Sequence, residues 1–217
     1  MNSAEHKQAA VEATLRIAPV IAVVVIDALA DAVPLARALV AGGIHAIEVT
    51  LRTPVALDAI RAIAGEVETG IVGAGTLLAP EDIAAAEDAG ARFGVSPGVT
   101  PSLLDAADDS ALPYLPGAAT ATEAMQLYER GYTYQKFFPA TAAGGPDYLR
   151  SLAGPLPGIR FCPTGGISAA TAPEWLGLSN VVCVGGSWMS AAKLVRGGDW
   201  KAIETLARAA AQLRAKT

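Results

Sequence analysis

The sequence predicts an α/β protein, a (β/α)8 TIM barrel with an N-terminal helix capping the barrel. Eight short, β-rich apolar runs alternate with longer alanine- and leucine-rich runs at helical spacing, at a repeat of roughly 21–28 residues. The short runs are mostly apolar on successive residues, as expected of parallel strands covered on both faces. An open doubly wound sheet would place a glycine-rich turn after its first strand. Here that strand runs on into Val25-Ile26-Asp27-Ala28-Leu29.

The segment Ala4–Ile17 precedes the first strand and is expected to close the barrel's N-terminal end as a helix within residues 1–18, in one domain spanning 1–217. Val20–Ile26 is the first candidate strand, and Gly42-Gly43 closes a helix ahead of the second, Ala46–Leu51. Thr53-Pro54 opens a helix with Leu57, Ile60, Ile63 and Ala64 as its apolar stripe, and Gly70 leads into the strand Ile71–Leu77. Pro80-Glu81-Asp82 starts the next helix, Gly90 closes it, and Phe93–Ser96 follows as a strand. Thr100-Pro101-Ser102 opens a helix before the strand Tyr114–Gly117, and Thr120-Ala121-Thr122-Glu123 reads as a capping box. Past Gly131, the strands Tyr134–Phe138, Ile159–Pro163 and Val181–Val184 complete the set.

Composition narrows the function. The 217 residues are 52% hydrophobic and 17% charged, with a net charge of -5, so no positive field favours nucleic acid or an anionic membrane surface. Mean hydropathy is +0.38, yet the longest apolar run, Ile17–Ile26, has ten residues where a spanning helix needs roughly 20. The N-terminal residues Glu5, His6, Lys7 and Glu12 lack the apolar centre of a secretory signal. Cys162 and Cys183 have neither disulfide density nor metal-ligand spacing and read as reduced core thiols of a cytoplasmic protein. His6 and His45 have no partners at ligand or triad spacing, so no metal and no cofactor are expected.

In a barrel of this kind the chemistry sits at the C-terminal ends of the strands. Lys136 is the one lysine of five that lies in an apolar strand, between Gln135 and Phe137-Phe138. Burial disfavours an ammonium, and a neutral amine is what carbonyl attack needs for a Schiff base. A lysine paired with a carboxylate, or one reaching out to the barrel mouth, fits the same position. Glu48, the one acidic residue within a candidate strand, is the natural partner, either as a proton shuttle or as a structural counter-ion. Arg52, at the exit of the same strand, suits bidentate capture of a carboxylate or phosphate, or stands as a solvated loop charge. Thr76 offers a hydroxyl to the same anion, or caps the following helix. Gly165-Gly166 and Gly185-Gly186-Ser187 each follow a strand and precede helical sequence, where backbone N–H groups and the helix dipole bind phosphate; glycine pairs also serve tight turns.

Six segments together resemble the 2-keto-3-deoxy-6-phosphogluconate (KDPG) aldolase family. They are Glu48-Val-Thr-Leu-Arg52-Thr53, Gly73-Ala-Gly-Thr76, Ser96-Pro97-Gly98, Lys136-Phe-Phe-Pro-Ala140, Phe161-Cys-Pro-Thr-Gly-Gly166 and Val184-Gly-Gly-Ser-Trp188. They match in order, with similar spacing, over nearly the whole chain. The resemblance implies a class I aldolase that cleaves KDPG to pyruvate and glyceraldehyde 3-phosphate, assembled as a homotrimer. It implies that Lys136 forms the imine, that Glu48 is the general acid/base, and that Arg52 and Thr76 hold the pyruvyl carboxylate beside Pro97. Phe138 would pack beside the imine, and Thr164 would govern which face of the aldehyde is attacked. Gly165, Gly166, Gly186 and Ser187 would hold the 6-phosphate. Many members carry an acidic residue where this chain has Thr141. Two alternatives stand beside this reading: a 4-hydroxy-2-oxoglutarate aldolase on the same scaffold, and a phosphate-binding isomerase or synthase using Glu48 and Lys136 without an imine.

Overall fold

The computed structural model describes residues 3–213; the ends of the expected 1–217 domain, residues 1, 2 and 214–217, lie outside them. Nine strands run through it: β1 Val20–Val24, β2 Ala46–Thr50, β3 Ile71–Gly75, β4 Gly94–Val95, β5 Tyr114–Leu115, β6 Gly117–Ala118, β7 Tyr134–Phe137, β8 Arg160–Pro163 and β9 Val184–Gly186. All pairings between them are parallel. Six strands form one curled sheet in the order β5-β4-β3-β2-β1-β9, and three form a second in the order β6-β7-β8. Between and after them run α2 Ala32–Ala41, α3 Ala56–Glu66, α4 Pro80–Asp88, α5 Pro101–Asp109, α6 Ala121–Glu129, α7 Gly145–Leu152, α8 Ala172–Leu176, α9 Ala192–Arg196 and α10 Trp200–Ala211, with α1 Ser3–Leu15 ahead of β1.

Pro116 divides the expected strand Tyr114–Gly117 in two. Proline has no N–H to give to a ladder, but its carbonyl still accepts from Lys136 N at 2.8 Å. Leu115 stays with the first sheet and Gly117 pairs with Lys136 in the second. At the other junction, single bridges join Phe161 to Val181 and Thr164 to Gly185.

Side chains alternate across each strand. On β2, Ile47 and Val49 face the helices while Ala46, Glu48 and Thr50 face inward; on β7, Gln135 and Phe137 face the helices while Tyr134 and Lys136 face inward. Of the helix-facing residues, Ile47, Val49 and Phe137 join one large apolar cluster, while Gln135 Nε2 donates to the carbonyls of Ala124 and Tyr132 at 2.9 Å. A smaller interior cluster gathers Ile21, Ala46, Phe93, Val95, Leu115, Tyr134, Cys162 and Cys183 with Val11 and Leu15 of α1. Helix α1 is tied there by Lys7 Nζ, which donates to the carbonyls of Ala107, Asp108 and Ser110 at 2.7–3.0 Å. Gln8 Oε1 accepts from Tyr134 N at 3.1 Å.

The helix starts mostly follow the capping signals. Thr100 Oγ1 accepts from Leu103 N, and Thr120 and Glu123 complete a reciprocal capping box on α6. Three expectations change. Helix α3 begins at Ala56 with Val55 as its N-cap, because the Thr53 hydroxyl donates to Ile26 O at 2.7 Å instead of capping. Ala64 is exposed, and the buried stripe is Ala56, Ala59, Ile60 and Ile63. The last strand is Val184–Gly186, not Val181–Val184, so Gly185 and Gly186 lie within a strand rather than after it.

Candidate active site

Two inward positions from opposite sheets meet in the interior. Lys136 Nζ donates to Glu48 Oε1 at 3.1 Å, with only 6% and 4% of the two side chains exposed. The Glu48 carboxylate leans on β3 at Gly75, where a Cβ would lie 2.2 Å from Oε1. Any side chain at position 75 would force the Glu48 side chain to shift. Lys136 Nζ also stands 5.2 Å from the centroid of the Phe138 ring, within cation–π range.

Above this pair opens a cavity of about 190 Å³, lined among others by Arg52, Lys136, Phe138, Thr164, Gly165, Gly166, Gly186 and Ser187. A larger cavity of about 370 Å³ adjoins it, sharing Val23, Val25 and Ser187 and bordered by Asp27, Asp31 and Arg196. The smaller is the one that Lys136 lines.

Arg52, exposed at the exit of β2, donates from Nε to Thr76 Oγ1 at 3.3 Å. Thr76 has φ +63, the one left-handed non-glycine among the described residues, a conformation costing about 1–3 kcal/mol that tends to persist at functional sites. It is not a cap, since α4 takes Ala79 as its N-cap. Pro97 lies outside the 190 Å³ cavity, with its carbonyl group against Gly117.

Gly165 and Gly166 both have left-handed backbone, φ +106 and +77. Such a turn presents consecutive N–H groups to an anion. The helix-dipole argument does not hold here: α8 starts only at Ala172, and a three-residue 3-10 turn, Trp188–Ser190, follows Ser187. Thr164 Oγ1 donates weakly to Cys162 O at 3.4 Å and rests on β9, where a Cβ at Gly185 would meet it at 2.2 Å.

The cavity includes residues that sequence reasoning passed over: Val23, Val25, Thr50 and Ile167. Thr50 is two positions from Glu48, so the period of two already put it on the same face. Its hydroxyl donates to Val24 O at 3.1 Å, pinning the end of β2 to β1. Elsewhere, His45 Nδ1 lies 3.0 Å from Thr69 O. No group of three His, Cys, Asp or Glu among the described residues could hold a metal ion. No described helix is long and apolar enough to cross a membrane.

A family model described as KDPG and KHG aldolase matches residues 11–206. The KHG/KDPG aldolase of Escherichia coli K12 is 49% identical over 201 residues, covering 93% of this chain and 94% of that one. The 2-dehydro-3-deoxy-phosphogluconate aldolase of Pseudomonas aeruginosa is 48% identical over 97% of this chain and 96% of its own length. Among solved structures, KDPG aldolase from Legionella pneumophila, with pyruvate captured as a covalent carbinolamine, superposes with a TM-score of 0.91. It is 45% identical, over 93% of this chain and 98% of that one.

Proposed function

The chain belongs to the KDPG and KHG aldolase family, and on that premise we propose how its own residues carry out the cleavage. It is a class I aldolase that splits KDPG reversibly into pyruvate and glyceraldehyde 3-phosphate through a Schiff base. The observation that carries the residue assignment is the buried Lys136–Glu48 pair, 3.1 Å apart at the floor of the 190 Å³ cavity.

Proton transfer from Lys136 to Glu48 would leave a neutral amine to attack the C2 carbonyl, forming a carbinolamine; its hydroxyl takes that proton back from Glu48 and leaves as water, giving an iminium and restoring the Glu48 carboxylate. Glu48 then takes the proton of the C4 hydroxyl. The C3–C4 bond breaks, its electron pair moves onto the iminium to give an enamine, and glyceraldehyde 3-phosphate departs. Protonation of the enamine carbon and hydrolysis of the imine release pyruvate and restore Lys136. Positive charge on the imine nitrogen is the electron sink throughout. Arg52 and Thr76 would hold the C1 carboxylate at the exit of β2, with Phe138 against the imine. Thr164, which lines the cavity and rests on β9, would set which aldehyde face meets the enamine. The Gly165–Gly166 turn, Gly186 and Ser187 would cradle the 6-phosphate at the other end of the cavity.

The curled sheets would close as a (β/α)8 barrel at the Pro116 break and the Thr164–Gly185 bridge, with α1 over the N-terminal end. The assembly would be a homotrimer in the cytoplasm, where the buried Cys162 and Cys183, sulfurs 3.6 Å apart, stay reduced.

The test is release of pyruvate from KDPG, followed continuously, with 4-hydroxy-2-oxoglutarate as the unphosphorylated comparison. The family description and the Escherichia coli relative's name include both activities. A glycine-built phosphate cradle predicts a higher kcat/KM for KDPG. No release from KDPG by the folded protein would overturn the reading.

A further inference from the structure

Lys136 hangs from the one strand edge that a proline interrupts, and a buried hydroxyl spans the interruption. Ser96, one residue past β4, is fully buried. Its backbone N donates to Leu115 O, the last residue of β5, at 3.4 Å. Its hydroxyl oxygen accepts from Gly117 N, the first residue of β6, also at 3.4 Å. One residue thus holds both sides of Pro116. On the far side, Lys136 N donates to Pro116 O at 2.8 Å, and Gly117 stands in register with Lys136. The backbone after Ser96 closes on the same point, since a Cβ at Gly117 would lie 2.3 Å from Pro97 C and O.

The Ser96 hydroxyl is itself held. Tyr114 OH donates to it at 2.5 Å. The Tyr114 ring is buried and meets Tyr132 edge-on at 6.0 Å, and Tyr132 OH is fixed in turn by Asp108 Oδ1 at 2.6 Å. Burial outweighs the Ser96 hydrogen bond and holds the Tyr114 hydroxyl above its ordinary value of 10.0, so it remains a donor at neutral pH. We propose that Ser96, fixed by Tyr114, is a positioning residue for Lys136: it joins the two sheets across Pro116 and so sets the reach of Lys136 Nζ to Glu48 and to the substrate carbonyl. The proposal rests on the reading of Lys136 as the imine-forming lysine.

The test measures kcat and KM for KDPG, the rate of borohydride trapping of pyruvate on Lys136, and Tm in the wild-type protein, Ser96→Ala, Tyr114→Phe and the double variant. In Ser96→Ala, kcat and the trapping rate should fall together by about tenfold, on a scale where a misplacement of roughly 1 Å costs 10²-fold. KM should stay within about twofold, the signature of a contact that matters only at the reacting centre, because Arg52 at the end of β2 and Ser187 after β9 lie on other elements. Tyr114→Phe keeps the packed ring and should lower both rates by a smaller factor. It decides the matter if Ser96→Ala does not fold. The double variant should be no slower than Ser96→Ala, since the two hydroxyls act as one unit. Unchanged kcat and trapping in folded variants, even with a lower Tm, would overturn the proposal, as would a rise in KM alone. If the wild-type protein is trapped at Lys136 and the variants are trapped equally fast, the role of Ser96 fails by itself. If the wild-type protein cleaves KDPG but is not trapped at Lys136, the imine reading fails and this proposal with it.

Discussion

Lys136 and Glu48 hold each other's charge in an interior that solvent barely reaches, so each is tested best in the presence of the other. Removing one partner of a buried pair typically costs about 3–5 kcal/mol because the remaining charge is left uncompensated. Lys136→Met should therefore abolish cleavage and lower stability by that order in chemical denaturation, and adding Glu48→Gln should recover much of the stability but none of the activity. Glu48→Gln alone should lower kcat by about 10²–10⁴-fold, the usual worth of a positioned acid/base, with KM far less affected. Variants lacking Lys136 have no turnover left to lose, so the kcat of Glu48→Gln alone decides between shuttle and counter-ion. At Arg52, substitution by lysine keeps the charge but not the planar fork; KM for substrate should rise roughly tenfold, and unchanged KM would return Arg52 to a solvated loop charge. The lysine and its carboxylate were legible in the sequence because each is charged in an apolar strand. The left-handed backbone of Thr76 was not, because nothing local in Gly73-Ala-Gly-Thr76 marks the threonine rather than a glycine as the residue that turns.

Elements place those residues through backbone constraints of different legibility. Caps are short-range and read well: the α6 capping box stands where Thr120 and Glu123 announced it. Burial raises the Glu123 carboxyl, but hydrogen bonds from Ala119, the Thr120 side chain and Thr120 N outweigh it and hold it below its ordinary value of 4.5. A depressed carboxyl contributes stability that is complete above the unfolded value and is lost as pH falls through the folded one. Thr120→Ala should cost about 1 kcal/mol at neutral pH, a fall in Tm of about 2–4 °C for a chain of this size, and the deficit of Glu123→Gln should vanish in acid. Longer-range constraints read less well. Thr53 looked like a cap and instead spends its hydroxyl on Ile26 O; the β9 limits slipped because Gly185-Gly186 pairs with Ile21-Ala22 across the sheet. At Gly75 the constraint is contact, not conformation: Gly75→Ala should push Glu48 off its position and lower kcat about a hundredfold, as a misplacement near 1 Å can. Full activity in that variant would show that Glu48 acts elsewhere.

Across the whole molecule, the inward faces change character along the strands. One end is packed with Val11, Leu15, Ile21, Phe93, Val95 and Leu115; the middle holds Glu48 and Lys136; the other end opens into the cavity over Gly165 and Gly166. The alternation of each strand could be read from the sequence, but the meeting of β2 with β7 is a property of the curled sheets together. The apolar floor excludes water beneath the pair. At this scale the homotrimer is tested by sedimentation, which should give three times the 22.0 kDa chain mass. The imine itself is tested most directly by incubating the protein with pyruvate and sodium borohydride and mapping the modified peptide by mass spectrometry. The account predicts a reduced pyruvyl group on Lys136; a folded protein that emerges unmodified, or modified at Lys7, Lys193 or Lys201 instead, would contradict it.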